Sequence, residues 1–69
     1  MDQDDLKSRF TYHPPKDDQA DRYQNIRAGG HWLASVIDTL CPDSREKSLA
    51  ITKLQEAVMW ANASIAVNE

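Results

Sequence analysis

Four residues in the first half of the chain carry side chains suited to holding a small phosphorylated ligand. Tyr12 offers an aromatic ring for stacking on a base, and Arg27 offers a planar guanidinium that binds phosphate through paired hydrogen bonds. Thr11 and His13 add hydrogen-bonding groups beside Tyr12. These residues predict a ligand-binding site. Each also has a plainer interpretation, since Tyr12 can dock an arm and Arg27 can pair with Asp18 or Asp21 or face solvent.

Residues for catalysis or metal binding are sparse. Cys41 lies between Leu40 and Pro42 without a basic neighbour in sequence, a setting more typical of a small buried hydrophobic residue than of a nucleophile. His13 and His31 are the only histidines, and no carboxylate accompanies them at a ligand spacing. We therefore expect a binding protein rather than an enzyme, with no catalytic residues, no metal and no cofactor.

The length of the chain, 69 residues, predicts a single domain with marginal stability. A fold of this size buries only about 60% of the surface that its unfolded chain exposes. With Cys41 as the only cysteine, an intramolecular disulfide is impossible. Association of several copies is the remaining way to bury more surface.

The charge balance argues against a long nucleic acid as partner. Eleven acidic and eight basic residues give a net charge of −3, which disfavours binding through phosphate neutralisation, although a local pocket can still attract a small anion. Asp2, Asp4 and Asp5 occupy the place of the basic region of a signal peptide. No stretch approaches the about 18 apolar residues of a membrane span. We expect a cytoplasmic protein that does not bind membranes.

An arm over residues 1–16 is predicted to precede the helices. It contains a possible helical turn between Asp2 and Arg9, and Pro14 and Pro15 hold the segment after it in an extended conformation. A long helix is expected over residues 17–40, with Asp17 or Asp18 as N-cap. Its apolar stripe follows spacings of three and four residues: Tyr23, Ile26, Gly30, Leu33, Ile37 and Leu40.

A second long helix is expected over residues 44–67. Pro42 ends the first helix at Cys41, and Asp43 or Ser44 is the N-cap of the second. Its stripe repeats the same spacing with Ile51, Leu54, Val58, Ala61 and Ile65. The prediction is an all-α fold, in which residues 1–69 form one antiparallel two-helix hairpin with a short N-terminal helix or arm.

Several apolar residues lie outside the two stripes and predict an interface between copies of the chain. The most prominent are Trp32, Met59 and Trp60. The alternative is that the tryptophans pack on the arm of the same chain. Asn62 is a poor helix former beside these residues, and we group it with the interface. It either makes a buried hydrogen bond, to a second copy or a ligand, or is simply an exposed polar residue.

Two adjacent glycines interrupt the first long helix. Each costs about 1 kcal/mol relative to alanine in a helix interior, so some other interaction must offset the cost. Gly30 lies on the apolar stripe, where close packing of another helix explains it at least as well as a ligand does. Gly29 lies off the stripe and is the better candidate for a gap that faces a ligand.

The order of these features resembles the anti-CBASS cyclic-oligonucleotide sponges of phages, whose helical-hairpin domain is shared with the anti-Thoeris sponges. The segments that carry the resemblance extend over almost the whole chain from Phe10 onward: Phe10-Thr11-Tyr12-His13-Pro14-Pro15, Arg22-Tyr23, Ile26-Arg27, Cys41-Pro42, Ser44-Arg45-Glu46, Trp60-Ala61-Asn62-Ala63 and Ile65-Ala66. None is diagnostic alone, and their order and spacing together make the match fairly specific.

The resemblance implies a homohexamer that binds cyclic dinucleotides, such as cyclic GMP-AMP, between protomers without cleaving them. The phage-encoded protein would act in the host cytoplasm by withholding the activator of CBASS effectors. Tyr12 would stack on a base and Arg27 would contact a phosphate. Ala28-Gly29-Gly30 replaces a hydroxyl or amide residue of the family. Val67 replaces an arginine that helps line a separate trinucleotide site, so we expect that site to be weakened or lost.

A second hypothesis needs no small ligand. In it, the hairpin is a protein–protein interaction domain that docks its partner through Trp32, Met59 and Trp60.

Overall fold

The computed structural model describes residues 2–69 and contains three helices and, over those residues, no strand. Helix α1 spans Gln3–Phe10, α2 spans Gln19–Leu40 and α3 spans Arg45–Asn68. The last two pack against each other as a hairpin with a short connection. The all-helical prediction is confirmed. No helix among the described residues is long and apolar enough to cross a membrane.

The two long helices begin in different ways. Ser44 is the N-cap of α3, and its Oγ accepts a hydrogen bond of 3.1 Å from the amide of Lys47. Asp18 occupies the N-cap position of α2 without a capping hydrogen bond, because its carboxylate pairs with Arg22 Nε at 3.2 Å instead. The residue before it, Asp17, has a φ of 52°, a left-handed conformation that turns the arm into the helix.

The seam between α2 and α3 follows the predicted stripes with two exceptions, Leu33 and Leu40. All five stripe residues of α3 are half-buried, as are Tyr23, Ile26, Gly30 and Ile37 of α2. Leu33 is 40% exposed and therefore only borders the seam, whereas Leu40 is 75% exposed, so the assignment of Leu40 to the seam is wrong. Leu40 lies at the last residue of α2, where the chain turns away from α3.

The closest approach in the seam is between Gly30 and Val58. A Cβ atom built on Gly30 would lie 2.5 Å from Val58 Cγ2, well inside van der Waals contact. Glycine at this position therefore allows the two helices to approach, and the predicted close packing of a helix on Gly30 is observed within the chain itself.

Lys47 forms ion pairs at the closed end of the hairpin, which is the end where the turn joins α2 to α3. Its Nζ lies 2.9 Å from the Asp43 carboxylate and 2.9 Å from that of Asp38, and it also donates to the Asp38 carbonyl. The hydrogen bond to Lys47 lowers the pKa of Asp43, and the same contacts raise the pKa of Lys47. Cys41 is exposed in this turn. The expectation of a buried cysteine is wrong, because the turn lies beyond the α2–α3 seam.

At the end of the hairpin opposite the α2–α3 turn, Glu69 makes polar contacts with residues at the start of α2. The guanidinium of Arg22 donates to both carboxylate oxygens, one of them at 2.9 Å. Gln19 is 3% exposed, the one buried residue among those described. Its Nε2 donates to the Glu69 carboxylate at 3.4 Å, and its Oε1 accepts from the Lys16 amide at 3.1 Å.

The part of the arm that follows α1, residues 11–16, folds back on α1 through two local contacts. Nε2 of His13 donates to the carbonyl oxygen of Ser8 at 2.8 Å, and the Thr11 hydroxyl donates to the carbonyl of Lys7. The residues from Tyr12 to Lys16 are not helical, as Pro14 and Pro15 predicted. The hydrogen bond on His13 leaves its other ring nitrogen available on the opposite side.

One copy of the chain has almost no interior. No apolar side chain among residues 2–69 is buried, and the molecule is 13 Å thick, close to the diameter of one helix. Its accessible surface is 5623 Å², against about 4,400 Å² for a compact monomer of this mass. Trp32 and Trp60 are 67% and 69% exposed, so the alternative in which they pack on the arm is not observed.

Candidate functional site

An open cleft of about 320 Å³ lies where the arm crosses the hairpin, and we call it the arm cleft. The arm contributes Tyr12 and His13, α2 contributes Tyr23 and Arg27, and α3 contributes Asn62. Three separate parts of the chain therefore converge there. Three residues that the sequence analysis selected for chemistry, Tyr12, His13 and Arg27, lie on its walls.

The guanidinium of Arg27 is available for an anion. Its Nη2 donates to Gln24 Oε1 at 3.2 Å, and no carboxylate among residues 2–69 pairs with it. Arg22, one and a half turns earlier, is instead held by Asp18 and Glu69. The ion pair that offered a plainer interpretation of Arg27 is thus absent from the described residues, and its donors face the cleft and solvent.

Two buried polar atoms on the walls of the arm cleft lack a partner. Within residues 2–69, neither Tyr23 Oη nor Asn62 Oδ1 makes a hydrogen bond. A buried polar group without a partner costs about 1–3 kcal/mol, which a bound molecule can relieve when it supplies the missing donor or acceptor. The sequence analysis placed Tyr23 only in the seam. Its hydroxyl, in a stripe of otherwise apolar residues and glycine, was the signal for a second role.

A second cleft, of about 310 Å³, continues along the groove between α2 and α3, and we call it the seam cleft. Its floor is apolar and includes Gly30, Val58 and Met59, while His31 and Arg27 supply polar groups. Arg27 lines both clefts. One cationic side chain is therefore flanked by two openings, one bounded by the arm and the other by the apolar seam.

Two of the predicted ligand contacts lie outside both clefts. The hydroxyl of Thr11 is engaged with the Lys7 carbonyl, and Gly29 lies on the exposed surface of α2 with no atom within 4 Å of a Cβ built on it. Their assignment as ligand contacts stays a prediction.

The predicted interface residues divide between the clefts and the outer surfaces. Trp32 and Trp60 lie on exposed outer surfaces, and Met59 is 63% exposed beside the seam cleft. Asn62, which the sequence analysis grouped with the interface, lines the arm cleft, and its interface role stays a prediction.

The described residues contain no group of three or more histidine, cysteine or carboxylate side chains that would hold a metal ion. His13 lies in the arm cleft and His31 in the seam cleft. The arrangement combines a stacking ring, a free guanidinium and hydrogen-bonding groups around an open cleft. Such a set can hold an aromatic phosphorylated molecule by contacts alone.

Comparison with protein families gives one finding. A family model described as "Acb2/Tad1, hairpin domain" matches residues 2–66, which is nearly the whole chain. Neither a comparison with curated proteins nor one with solved structures finds a match.

Proposed function

Because the chain belongs to the Acb2/Tad1 hairpin family, the family of anti-CBASS and anti-Thoeris sponges, we propose that it sequesters cyclic dinucleotides such as cyclic GMP-AMP. It holds these second messengers intact in the cytoplasm of a phage-infected host cell. The host CBASS effectors then lack their activator. Membership of the family supports a sponge for cyclic nucleotides, and the dinucleotide class rests on the clefts described above.

The proposal depends on one observation: Tyr12 and Arg27 line the same arm cleft, and Arg27 forms no ion pair within residues 2–69. In the proposed complex, Tyr12 stacks on one base and Arg27 binds a phosphate through its planar donors. His13, Tyr23 and Asn62 then supply hydrogen-bonding groups to the base or the sugar. We keep Thr11 and Gly29 as candidates for more distant contacts.

The position of Arg27 between two clefts favours a ligand with two bases. A cyclic dinucleotide carries its phosphates in a central ring with a base on either side. With a phosphate at Arg27, one base enters the arm cleft and the remainder of the ligand extends over the seam cleft. A mononucleotide would use only one of the two openings.

The exposed apolar surface supports assembly as part of the same proposal. Trp32, Met59 and Trp60 are each more than 60% exposed in one copy, and each is a large side chain that gains from burial. We propose a homo-oligomer, a hexamer by resemblance to the family, in which a neighbouring copy covers these residues and completes the site. With Val67 in place of an arginine, a separate trinucleotide site would be weakened or lost.

The same exposed residues are the basis of the second candidate function. A hairpin with large apolar side chains on its outer surfaces can also dock a different protein, without a small ligand. The two candidates differ in what stabilises the folded chain. A cyclic dinucleotide that binds only the folded state raises the melting temperature with its concentration, whereas under the second candidate it has no effect.

The test is calorimetric titration with cyclic dinucleotides, cyclic trinucleotides and mononucleotides, together with light scattering. We expect saturable binding of at least one cyclic dinucleotide and its intact recovery after the protein is denatured. Tyr12→Ala should weaken binding by about 1–3 kcal/mol, or roughly 5- to 150-fold, while Tyr12→Phe keeps the stacking ring. Recovery of a linear dinucleotide instead of the cyclic one would show that the protein cleaves its ligand and is an enzyme. Tight binding of a trinucleotide would contradict the role assigned to Val67.

A further inference from the structure

We propose that Glu69 is a positioning residue that fixes the base of the arm and thereby holds Tyr12 and His13 over Arg27. The inference deepens the proposed function and rests on it for its effect on ligand affinity. Its effect on the arm itself can be measured without any ligand.

The first step of the argument is the set of groups that meet at Glu69. Its carboxylate accepts from both Nη atoms of Arg22 and from Gln19 Nε2, and its main-chain oxygen accepts from Lys16 Nζ. These donors lie about 50 positions away in sequence. The contacts therefore join the last residue after α3 to the start of α2 and to the end of the arm.

The second step is the way in which Gln19 transmits this contact to the arm. Gln19 is the one buried residue of the described chain, and its amide group is used at both ends. The Nε2 atom faces Glu69 at 3.4 Å, and the Oε1 atom receives the Lys16 amide at 3.1 Å. The amide of Gln19 in turn donates to the Lys16 carbonyl at 3.0 Å. Lys16 is thus held by its main chain and by its side chain.

The third step is the shortness and stiffness of the segment between Lys16 and the ligand-binding residues. Pro14 and Pro15 fix their own φ angles and leave few conformations between Lys16 and His13. Displacement of Lys16 therefore moves His13 and Tyr12 with it. The other side-chain hydrogen bonds of residues 11–16 are local ones to α1, a helix of eight residues that is too short to be stable alone.

The loss of charge at Glu69 and the loss of arm position have opposite expected effects on ligand binding, so the experiment can distinguish them. Removal of the Glu69 charge leaves Arg22 without its bidentate partner and adds positive potential near the arm cleft. That change by itself favours an anionic ligand. Weaker binding by such a variant must therefore come from the lost position of the arm and not from the charge.

Asp43→Asn is the matched control for Glu69→Gln. Each variant removes one carboxylate charge and one ion pair, with Lys47 in the case of Asp43→Asn and with Arg22 in the case of Glu69→Gln. Asp43 lies at the closed end of the hairpin and lines neither cleft. A general loss of hairpin stability should appear in both variants, whereas a loss of arm position should appear only at Glu69.

The ligand-free experiment measures chymotrypsin cleavage after Tyr12, with helix content followed by circular dichroism. We expect Glu69→Gln and Glu69→Ala to be cut several-fold faster than the unaltered chain at unchanged helix content, and Asp43→Asn to be cut at the original rate. Equal cleavage of all four proteins would overturn the inference, whatever the chain binds.

The second experiment is a double-mutant cycle in calorimetry with the cyclic dinucleotide bound by the unaltered chain. We expect Glu69→Gln to weaken binding roughly 2- to 150-fold, the range of coupling between interacting groups, and to have little further effect in a Tyr12→Ala background. Equal losses in both backgrounds would refute a role through Tyr12. Absence of binding by the unaltered chain would refute the proposed function, and the cleavage rates would still decide the role of Glu69 in the arm.

Discussion

The two adjacent glycines of α2 make a matched pair whose alanine variants should differ in stability. A Cβ built on Gly29 has no atom within 4 Å, whereas one built on Gly30 lies 2.5 Å from Val58 Cγ2. Both positions are inside the same helix, so each substitution stabilises the helix by about 1 kcal/mol because alanine has the higher helix propensity. The difference between the variants therefore isolates the packing of the seam.

The magnitude follows from the stiffness of the neighbour. Val58 is β-branched and holds one strongly preferred rotamer in a helix, so it cannot easily rotate away from the new methyl group. Overpacking of a well-packed site costs about 1–3 kcal/mol. We expect Gly29→Ala to stabilise the chain by about 1 kcal/mol, and Gly30→Ala to be less stable than Gly29→Ala by about 1–3 kcal/mol. The corresponding gap in melting temperature is at least about 4 °C.

The assay is thermal and urea denaturation of both variants at one fixed protein concentration, because assembly would make the midpoint depend on concentration. The double variant Gly30→Ala with Val58→Ala removes the clashing methyl group and should recover part of the loss. If Gly30→Ala stabilises the chain as much as Gly29→Ala, then the close approach of α2 and α3 at Val58 is wrong. Titration of Gly29→Ala with a cyclic dinucleotide also tests whether Gly29 faces the ligand.

Three further predictions concern charge and assembly. Arg27→Ala should weaken ligand binding without changing the mass in light scattering, and Arg27→Lys should recover only part of the loss, because an ammonium lacks the planar fork. Trp60→Glu should lower both the mass and the affinity, and an unchanged mass would remove Trp60 from the interface. Arg22 holds the pKa of Glu69 below its ordinary value of 4.5, so the ion pair stabilises the fold above that pH and is lost as pH falls further. The difference in melting temperature between the unaltered chain and Glu69→Gln should therefore be present at neutral pH and shrink as the pH falls below 4.5.

Helices were predictable from the sequence because their signals are local. The three- and four-residue spacing of apolar residues and the Cys41-Pro42 break follow from the geometry of a single helix. Leu40 satisfied the same spacing but is exposed, since periodicity does not say where the partner helix ends. Cys41 was misjudged for the same reason, because its burial depends on a surface that lies outside its own helix.

The arm cleft was predictable only in part. Tyr12, His13 and Arg27 were selected from their chemistry, but the sequence could not say that Asn62 lines the same cleft, because that depends on how α3 returns past the arm. The network at Glu69 was also beyond sequence reasoning. It joins residues about 50 positions apart, and an exposed ion pair has no sequence pattern at such a distance.

The thinness of the molecule has a consequence for mutational scanning. In most domains, a position that rejects substitution is first explained by the protein's own core. Within residues 2–69 only Gln19 is buried, and surface substitutions usually change stability by less than about 0.5 kcal/mol. Outside the α2–α3 seam and the contacts of Glu69, intolerant positions would therefore outline the footprint of other molecules. Saturation mutagenesis of this short chain would map the surfaces that contact other molecules.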